Sequence, residues 1–256
     1  MLLAIDIGNT LITIGVYSKD KLLGHWRFSS GVNRTKDECW IMVNMLCQSQ
    51  ELELTAISAC AISSVVPDQT PIYVAMAENQ LGVPTVVVDS DIDSGLKILY
   101  HDPHSVGADR ICNSVAGFQK YGGPLIIIDF GTATTFDIVS ENAEYLGGII
   151  APGVESSSYA LYQYAARLPK IELKFPKHLI AKTTETSMQA GIMFGTVEMV
   201  NGLVRRLTEE LGKKAEIIIT GGIAEQIFAK LQISAKLEPF LTLEGLWIIY
   251  KRVMNK

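Results

Sequence analysis

The sequence predicts an α/β protein built from two similar halves, each with the element order β-β-β-α-β-α and a mixed sheet. The letters AIDIGNTLITIGVY at positions 4–17 return in altered form as IIDFGTATTFDIVS at positions 127–140. Each copy combines a strand, an Asp, a Gly turn with hydroxyl residues and a second strand. A chain of 256 residues can hold one large domain or two fused ones, and the repeat favours two halves.

The apolar pattern of the first half supports each of its elements in turn. Apolar residues run without interruption before Asp6 and alternate with other residues after the turn, which predicts a hairpin of two buried strands. Five strands are predicted, at residues 2–6, 12–16, 21–28, 56–62 and 85–88. Two helices are predicted from helical spacing, at residues 38–47 and 68–81.

An irregular segment rich in Asp and Ser, residues 89–103, precedes a further helix. We expect that helix to begin near Ser105 as its N-cap and to bury one apolar side. The residues expected on that side are Ile111, Cys112, Val115, Ala116 and Phe118. Residues 121–124 end the helix, and we divide the chain into halves at residues 1–115 and 116–256.

The second half repeats the element order of the first. Its predicted strands lie at residues 125–129, 134–139, 144–150 and 216–220. Its predicted helices lie at residues 154–166, 186–211, 223–231 and 243–253, and a proline-containing loop lies at residues 168–181. The doubled order resembles the duplicated ribonuclease H-like fold of actin, hexokinase-like sugar kinases and chaperone ATPases. Such a fold leaves the function open.

Composition excludes several classes of partner and compartment. The net charge of -5 carries no basic stripe of the kind that nucleic acid requires, so we expect no nucleic-acid partner. No apolar stretch approaches the ~18 to 20 residues of a membrane helix, and the first apolar run meets Asp6 before it could form a signal sequence. The four cysteines have no C-x-x-C spacing and indicate free thiols in a reducing compartment. We therefore expect a cytoplasmic protein without a membrane partner.

The two Gly turns have the composition of a polyphosphate site. A Gly lets backbone N–H groups approach an anion, and adjacent Asn or Thr side chains add donors. An Asp at a strand end supplies oxygen for a hydrated cation such as Mg²⁺. Two facing copies would hold a polyphosphate from both sides.

Other chemistries lack their residue patterns. The chain has no Walker A motif and no G-x-G-x-x-G after a strand. The serines at residues 156–158 lack the G-x-S-x-G nucleophile elbow. His101 and His104 with Asp102 form no larger His cluster that would indicate a metal site.

The segment between the two hairpins is the most specific part of the sequence. Residues 100–110 read YHDPHSVGADR and resemble the Y-x-x-P-x-x-x-G-x-D-R signature of type III pantothenate kinases. Further marks of that family occur in order, namely D-x-G-N-T at residues 6–10, D-x-G-T-A at 129–133, G-G-x-I-x-P-G at 147–153, Leu168-Pro169, Thr184 and Thr220-Gly221-Gly222. The resemblance spans essentially the whole chain. It implies ATP-dependent phosphorylation of pantothenate, the first step of coenzyme A synthesis.

The chemistry expected at Asp109 can be argued from the residue itself. Phosphorylation of an alcohol needs a group that accepts the hydroxyl proton, and a carboxylate near the polyphosphate can do so. In the first turn of a helix, the helix dipole would favour the ionised form of Asp109. We therefore predict that Asp109 is the catalytic base.

The resemblance also implies which residues bind pantothenate. Those positions are Tyr100, Gly107, Ala108, Asp109, Arg110 and Thr184. Tyr100 would pack against the substrate, Gly107 would leave room for it, and Arg110 would clamp an anionic group. In the family, the residue at the position of Thr184 reaches the pocket of the neighbouring subunit, which implies a homodimer.

The nucleotide and metal positions are likewise implied by the family motifs. ATP would contact Asp6, Ile7, Gly8, Asn9, Thr10, Leu11, Ile12, Thr13 and Thr132. Asp6 would bind Mg²⁺ directly or through water, and Asp129 would bind a monovalent cation, K⁺ or NH₄⁺. Thr13 replaces a Lys found in some relatives, so charge neutralisation here depends more on metal and backbone donors.

Two other functions are compatible with the fold. Bvg accessory factors resemble the same family and were named for a role in transcription, so a regulatory protein is the main alternative. The intact G-x-D-R segment with both phosphate hairpins counts against that alternative. An actin-like filament protein is a second possibility, and nucleotide-dependent sedimentation would reveal it.

Overall fold

The computed structural model describes residues 1–254 and divides the chain into two compact units. The first unit contains residues 1–120 together with the segment that begins at Leu241, and the second contains residues 121–240. Within residues 1–254, no helix has the length and apolar character needed to cross a bilayer.

The first unit has a mixed sheet in the order β3-β2-β1-β4-β5. The strands of this sheet are β1 (Leu2–Ile7), β2 (Leu11–Ser18), β3 (Lys21–Ser29), β4 (Ala59–Ser64) and β5 (Thr85–Val87). The residues of the first unit also include a two-residue strand, β6 (Lys97–Ile98), which is not part of this sheet. Its helices are α1 (Lys36–Ser49), α2 (Thr70–Ala75), α3 (Ala108–Tyr121) and the C-terminal α8 (Leu241–Met254). Strands β1 to β3 are antiparallel neighbours, whereas β4 and β5 run parallel to β1.

The second unit repeats this order, with strands arranged β11-β10-β7-β8-β9. Its strands are β7 (Leu125–Phe130), β8 (Ala133–Val139), β9 (Glu144–Pro152), β10 (Glu216–Gly221) and β11 (Lys236–Leu237). Its helices are α4 (Val154–Tyr164), α5 (Thr184–Gln189), α6 (Gly195–Leu211) and α7 (Ala224–Phe228). As in the first unit, the three strands β7 to β9 form an antiparallel meander and β10 runs parallel to β7.

Local sequence signals explain several element boundaries. Helix α1 begins with a capping box, in which the Thr35 hydroxyl accepts from the Glu38 backbone N–H and the Glu38 carboxylate accepts from Thr35 N–H at 2.7 Å. The predicted helix at residues 68–81 is α2 continued by a π-helical segment, Met76–Leu81. The predicted helix at 186–211 likewise consists of α5, a π-helical segment and α6.

Helix α3 begins later than the sequence predicts. Ser105 is not its N-cap, because Pro103–Ser105 forms a separate 3₁₀ turn capped by Asp102, and the Ser105 hydroxyl donates to the Asp102 carbonyl at 2.7 Å. Val106 is then extended, so the α-helix starts at Ala108. This later start places Asp109 in the first turn of α3.

The C-terminal helix belongs to the first unit, which differs from the division at residues 1–115 and 116–256. Helix α8 packs on β1, β2 and β4, and its Leu243, Leu246 and Ile249 are buried. Trp247 stacks on Tyr17 with ring centroids 5.8 Å apart. The sequence order alone places this helix in the second half, whereas the apolar face of the first sheet decides where it packs.

The cysteines match the expectation of free, buried thiols. Cys39, Cys47, Cys60 and Cys112 are all unpaired and buried.

Candidate active site

The first site residue, Asp6, lies near the end of β1, beside β4. The parallel register of the two strands pairs Asp6 with Ser63. The Ser63 hydroxyl donates a hydrogen bond to Asp6 Oδ1 at 2.9 Å. This contact orients a half-buried carboxylate at the same edge of the sheet as the turn that follows β1.

The turn between β1 and β2 is stabilised by hydrogen bonds, some of them from residues outside the hairpin. Gly8 N–H donates to the Leu11 carbonyl at 3.0 Å, and the buried Ser30 hydroxyl donates to the Gly8 carbonyl at 2.6 Å. Ser30 N–H also donates to the Thr10 carbonyl, and the Gln69 amide donates to the Ser30 carbonyl. Main-chain carbonyls of the turn are thus engaged on the protein side.

The predicted nucleotide residues of this turn differ in exposure. Asn9, Thr10 and Leu11 are exposed, while Gly8 and Thr13 are half-buried. The side chains of Ile7 and Ile12 are fully buried in the core, so those residues could reach a ligand only through main-chain atoms. Sequence reasoning missed Ser30 and Gln69, since a Ser after a strand and a Gln at the start of a helix carry no specific signal.

The predicted base, Asp109, lies directly after Gly107 and Ala108. Its Oδ1 accepts a hydrogen bond from Arg110 N–H at 2.8 Å. A Cβ on Gly107 would lie 2.5 Å from the same oxygen and 3.3 Å from Val65 Cγ1. The space beside Gly107 is therefore occupied by the Asp109 carboxylate itself.

Two opposing influences act on the Asp109 carboxyl. Burial raises its pKa above the ordinary value, while the hydrogen bond from Arg110 N–H and the Arg110 charge act in the opposite direction. Burial has the larger effect, so the helix start does not make this group more acidic than usual. A carboxylate with a raised pKa is a better proton acceptor than an ordinary Asp.

A buried thiol lies near both carboxylates of the first unit. Cys112 follows Asp109 by one helical turn, is 0 % exposed and lies near the Ser63 hydroxyl. Burial, together with the charges of Asp6 and Asp109, raises the pKa of the Cys112 thiol well above its usual range. The thiol is therefore neutral at physiological pH, and the first unit brings Asp6 and Asp109 to the surroundings of one side chain.

The other predicted substrate residues of the first unit divide by burial. Ala108 and Arg110 are 6 % and 7 % exposed, whereas Tyr100 is 37 % exposed. A guanidinium so deeply buried lies where it is poorly hydrated, in keeping with a role in binding an anion and not with a solvated surface Arg.

The second unit carries the remaining predicted residues. Asp129 lies at the end of β7, with Thr135 opposite on β8 and Thr220 opposite on β10. The exposed Thr132 occupies the following turn, where the Ser156 hydroxyl donates to its carbonyl at 2.6 Å. In each unit, a serine from outside the hairpin thus donates a hydrogen bond to a main-chain carbonyl of the Gly turn.

Thr184 is the first residue of α5 and is exposed. The helix begins with Thr183 as N-cap, whose hydroxyl accepts from Thr186 N–H at 3.2 Å. The apolar residues after it, Met188, Ile192 and Met193, are buried within this unit, where Ile192 and Met193 belong to the hydrophobic core.

The oxygen-rich donor sets fit the implied cations. Among residues 1–254, no three His, Cys, Asp or Glu side chains cluster as a metal cage. Mg²⁺ in nucleotide sites is commonly held by one or two carboxylates with phosphate and water, which the Asp6 environment can supply. Asp129 with its two threonine neighbours offers hard oxygen donors for a further cation.

Comparison with known proteins identifies the family. Residues 2–206 match the family model of type III pantothenate kinase. A type III pantothenate kinase of Moorella thermoacetica is 45% identical over 252 residues, which are 98% of this chain and 99% of that protein. The chain belongs to the type III pantothenate kinase family.

Solved structures confirm the duplicated fold predicted for this pantothenate kinase family member. A ROK family glucokinase from Streptomyces griseus, crystallised with glucose and AMPPNP, matches with a TM-score of 0.52 at 12% identity and covers 100% of this chain and 99% of its own. A protein described as a Baf family transcriptional activator from Campylobacter jejuni matches with a TM-score of 0.60 at 19% identity, covering 99% and 100% of the two chains. At such identities the likeness concerns the fold alone.

Proposed function

We propose that this chain transfers the γ-phosphoryl group of ATP to the terminal hydroxyl of pantothenate and so forms 4'-phosphopantothenate. Family membership supports the reaction. The observation that carries the residue assignment is the Asp109 carboxylate, whose pKa is raised by burial and which shares its surroundings with Asp6. One group accepts a proton and the other lies beside a phosphate-type turn, as phosphoryl transfer requires.

In this reaction Asp109 accepts the proton of the pantothenate hydroxyl as the oxygen attacks the γ-phosphorus, and the bond from that phosphorus to the β–γ bridging oxygen breaks to release ADP. Its raised pKa favours this transfer, and the hydrogen bond from Arg110 N–H fixes the carboxylate orientation. Arg110 pairs with the carboxylate of pantothenate, and Tyr100 packs on the substrate. Gly107 keeps clear the space that the Asp109 carboxylate needs.

The nucleotide is held by the Gly turns. In the first unit, Asn9 and Thr10 would donate to its phosphates and Asp6 would hold Mg²⁺ directly or through water. In the second unit, Thr132 would contact phosphate, and Asp129 would hold K⁺ or NH₄⁺. Bound Mg²⁺ would neutralise charge on the polyphosphate during transfer. The Thr at position 13 brings no charge, so metal and the backbone donors of the turns would supply more of the neutralisation.

We further propose that the enzyme is a cytoplasmic homodimer that acts on small molecules, without nucleic acid or membrane. Exposure of Thr184 at the start of α5 supports a contact with substrate in a second subunit. The four unpaired cysteines are in keeping with a reducing compartment.

An assay of the folded protein with ATP, pantothenate, Mg²⁺ and K⁺ tests the proposal. We expect 4'-phosphopantothenate as product, with turnover that depends on both cations. Absence of product under these conditions would contradict the proposed reaction. Omission of K⁺ and NH₄⁺ together, with Na⁺ as replacement, tests the cation role of Asp129.

The alternative is a regulatory protein of the Baf type, which the Campylobacter jejuni structure supports at the level of fold. Such a protein would bind nucleotide without turning over pantothenate. The same assay, paired with a measurement of ATP binding, separates the two functions.

A further inference from the structure

Ser63 lies outside the family motifs described above, yet it contacts the site residue Asp6 directly. It lies near the end of β4, is 0 % exposed, and donates from Oγ to Asp6 Oδ1 at 2.9 Å. The parallel pairing of β1 with β4 sets the two residues opposite each other in register. Its hydroxyl is therefore held by the core of the sheet and directed at the carboxylate.

The one proton of this hydroxyl is used by the bond to Asp6. A hydroxyl has one proton to donate and two lone pairs that accept, and Ser63 donates that proton to Asp6 Oδ1. Because Ser63 is 0 % exposed, water does not compete for it. Cys112 on α3, also 0 % exposed, lies near the same hydroxyl.

We propose that Ser63 is a positioning residue that sets the orientation of the Asp6 carboxylate for Mg²⁺-ATP. The terminal torsion of an Asp side chain has a broad energy well, so a fixed donor is needed to select one orientation. Hydrogen-bond partners of metal-binding carboxylates have this effect in other sites, where their loss costs about 10- to 100-fold in metal affinity or activity. Only the effect on kcat rests on the proposed function, whereas the effect on Mg²⁺-ATP binding does not.

A matched pair of serine substitutions tests the role. Ser63→Ala removes the donor to Asp6, whereas Ser114→Ala removes another fully buried hydroxyl, on α3, that has no hydrogen-bond partner within residues 1–254. Calorimetry would measure the affinity for ATP with and without Mg²⁺. We expect Ser63→Ala to weaken the Mg²⁺-dependent part by about 10- to 100-fold and to leave metal-free binding unchanged. Ser114→Ala should match the wild type in both.

Kinetics and a double-mutant cycle give independent readouts. Ser63→Ala should raise the Mg²⁺ concentration needed for half-maximal kcat, and Ser63→Cys, which keeps the size and a weak donor, should give an intermediate value. In an Asp6→Asn background, Ser63→Ala should have little further effect, because both substitutions remove the same interaction. Circular dichroism of each variant verifies the fold.

The outcomes separate this inference from the proposed function. If the wild type phosphorylates pantothenate but Ser63→Ala binds Mg²⁺-ATP like Ser114→Ala, the positioning role is wrong and the kinase assignment stands. If the wild type forms no product yet Ser63→Ala selectively weakens Mg²⁺-ATP binding, the kinase assignment is wrong and the positioning role stands. Fully additive losses with Asp6→Asn would show that Ser63 acts on stability and not through Asp6.

Discussion

The Asp109 carboxyl is the residue at which burial and local helix geometry conflict. The helix start and the Arg110 charge favour ionisation, but burial outweighs them and raises the pKa. An ionised carboxylate in this place costs the fold free energy and makes a better base. The site therefore gives up stability to gain proton affinity, a balance found at many active sites.

We expect Asp109→Asn to lower kcat by at least about 100-fold, the contribution usual for a general base. We also expect the variant protein to have a higher Tm than the wild type. The amide carries no charge to desolvate. Because the pKa of Asp109 is raised in the folded state, the wild type loses stability as pH rises through the interval between its unfolded and folded pKa values. The difference in Tm should therefore be largest near pH 7 and shrink in acid. Asp68→Asn, at an exposed Asp, is the control.

Gly107→Ala tests the close approach of the backbone to the base. The new Cβ would lie 2.5 Å from Asp109 Oδ1, and a side-chain end can move away more easily than backbone. We expect kcat to fall by more than tenfold with little change in Tm. Displacement of a catalytic group by about 1 Å can lower the reaction rate about 100-fold. A fall in Tm without a change in kcat would show that Val65, and not the carboxylate, limits the space.

At the scale of elements, each Gly turn depends on a serine from another segment. Ser30 follows β3 and donates to the Gly8 carbonyl, and Ser156 in α4 donates to the Thr132 carbonyl. A carbonyl held toward the protein leaves the neighbouring N–H groups of the turn available to a phosphate. The repeat thus extends from the hairpins to the hydrogen bonds that support them.

Ser30→Ala should weaken ATP binding by about three- to tenfold, in line with ~1 kcal/mol for one hydrogen bond, and leave the KM for pantothenate unchanged. The hydroxyl of the exposed neighbour Ser29 accepts a long hydrogen bond from Gly31 N–H at 3.3 Å, so Ser29→Ala is the matched control. Nucleotide titrations of both variants provide the measurement. Equal ATP affinities of Ser30→Ala and Ser29→Ala would contradict the role of the Ser30 hydrogen bond in supporting the turn.

At the scale of the whole molecule, the two ends of the chain share one unit. Helix α8 returns to the sheet that β1 begins, and a Cβ at Gly245 would overlap the main-chain carbonyl of Cys112 on α3. Thr242 also donates to Asn113 at 2.8 Å. The last helix therefore supports α3 by backbone contact, close to the residues that carry the chemistry.

Gly245→Ala should destabilise the protein by about 1 to 3 kcal/mol, as overpacking of a close helix contact does, even though Ala is the better helix former. Urea unfolding measures the loss. Gly202→Ala in α6, where a Cβ meets no atom within 4 Å, should be neutral or stabilising. A stable Gly245→Ala variant would show that the two helices can separate without cost.

The doubled order of elements, the two Gly turns and the segment from Tyr100 to Arg110 could all be predicted from the amino-acid sequence. These features are local, since apolar periodicity and turn composition are written in neighbouring residues. The family motifs in turn named Asp6 and Asp109. The start of α3 lies later than the sequence predicts, because Asp102 caps a separate turn.

Three features depend on contacts between distant parts of the chain, namely the hydrogen bond from Ser63 to Asp6, the packing of α8 and the raised pKa of Asp109. Ser63 and Asp6 are 57 positions apart and meet because β1 and β4 are parallel neighbours. Helix α8 packs where an apolar sheet face is open, regardless of its place in the chain. Strand pairing and desolvation both depend on residues that are far apart in the sequence, so a local sequence pattern does not predict them.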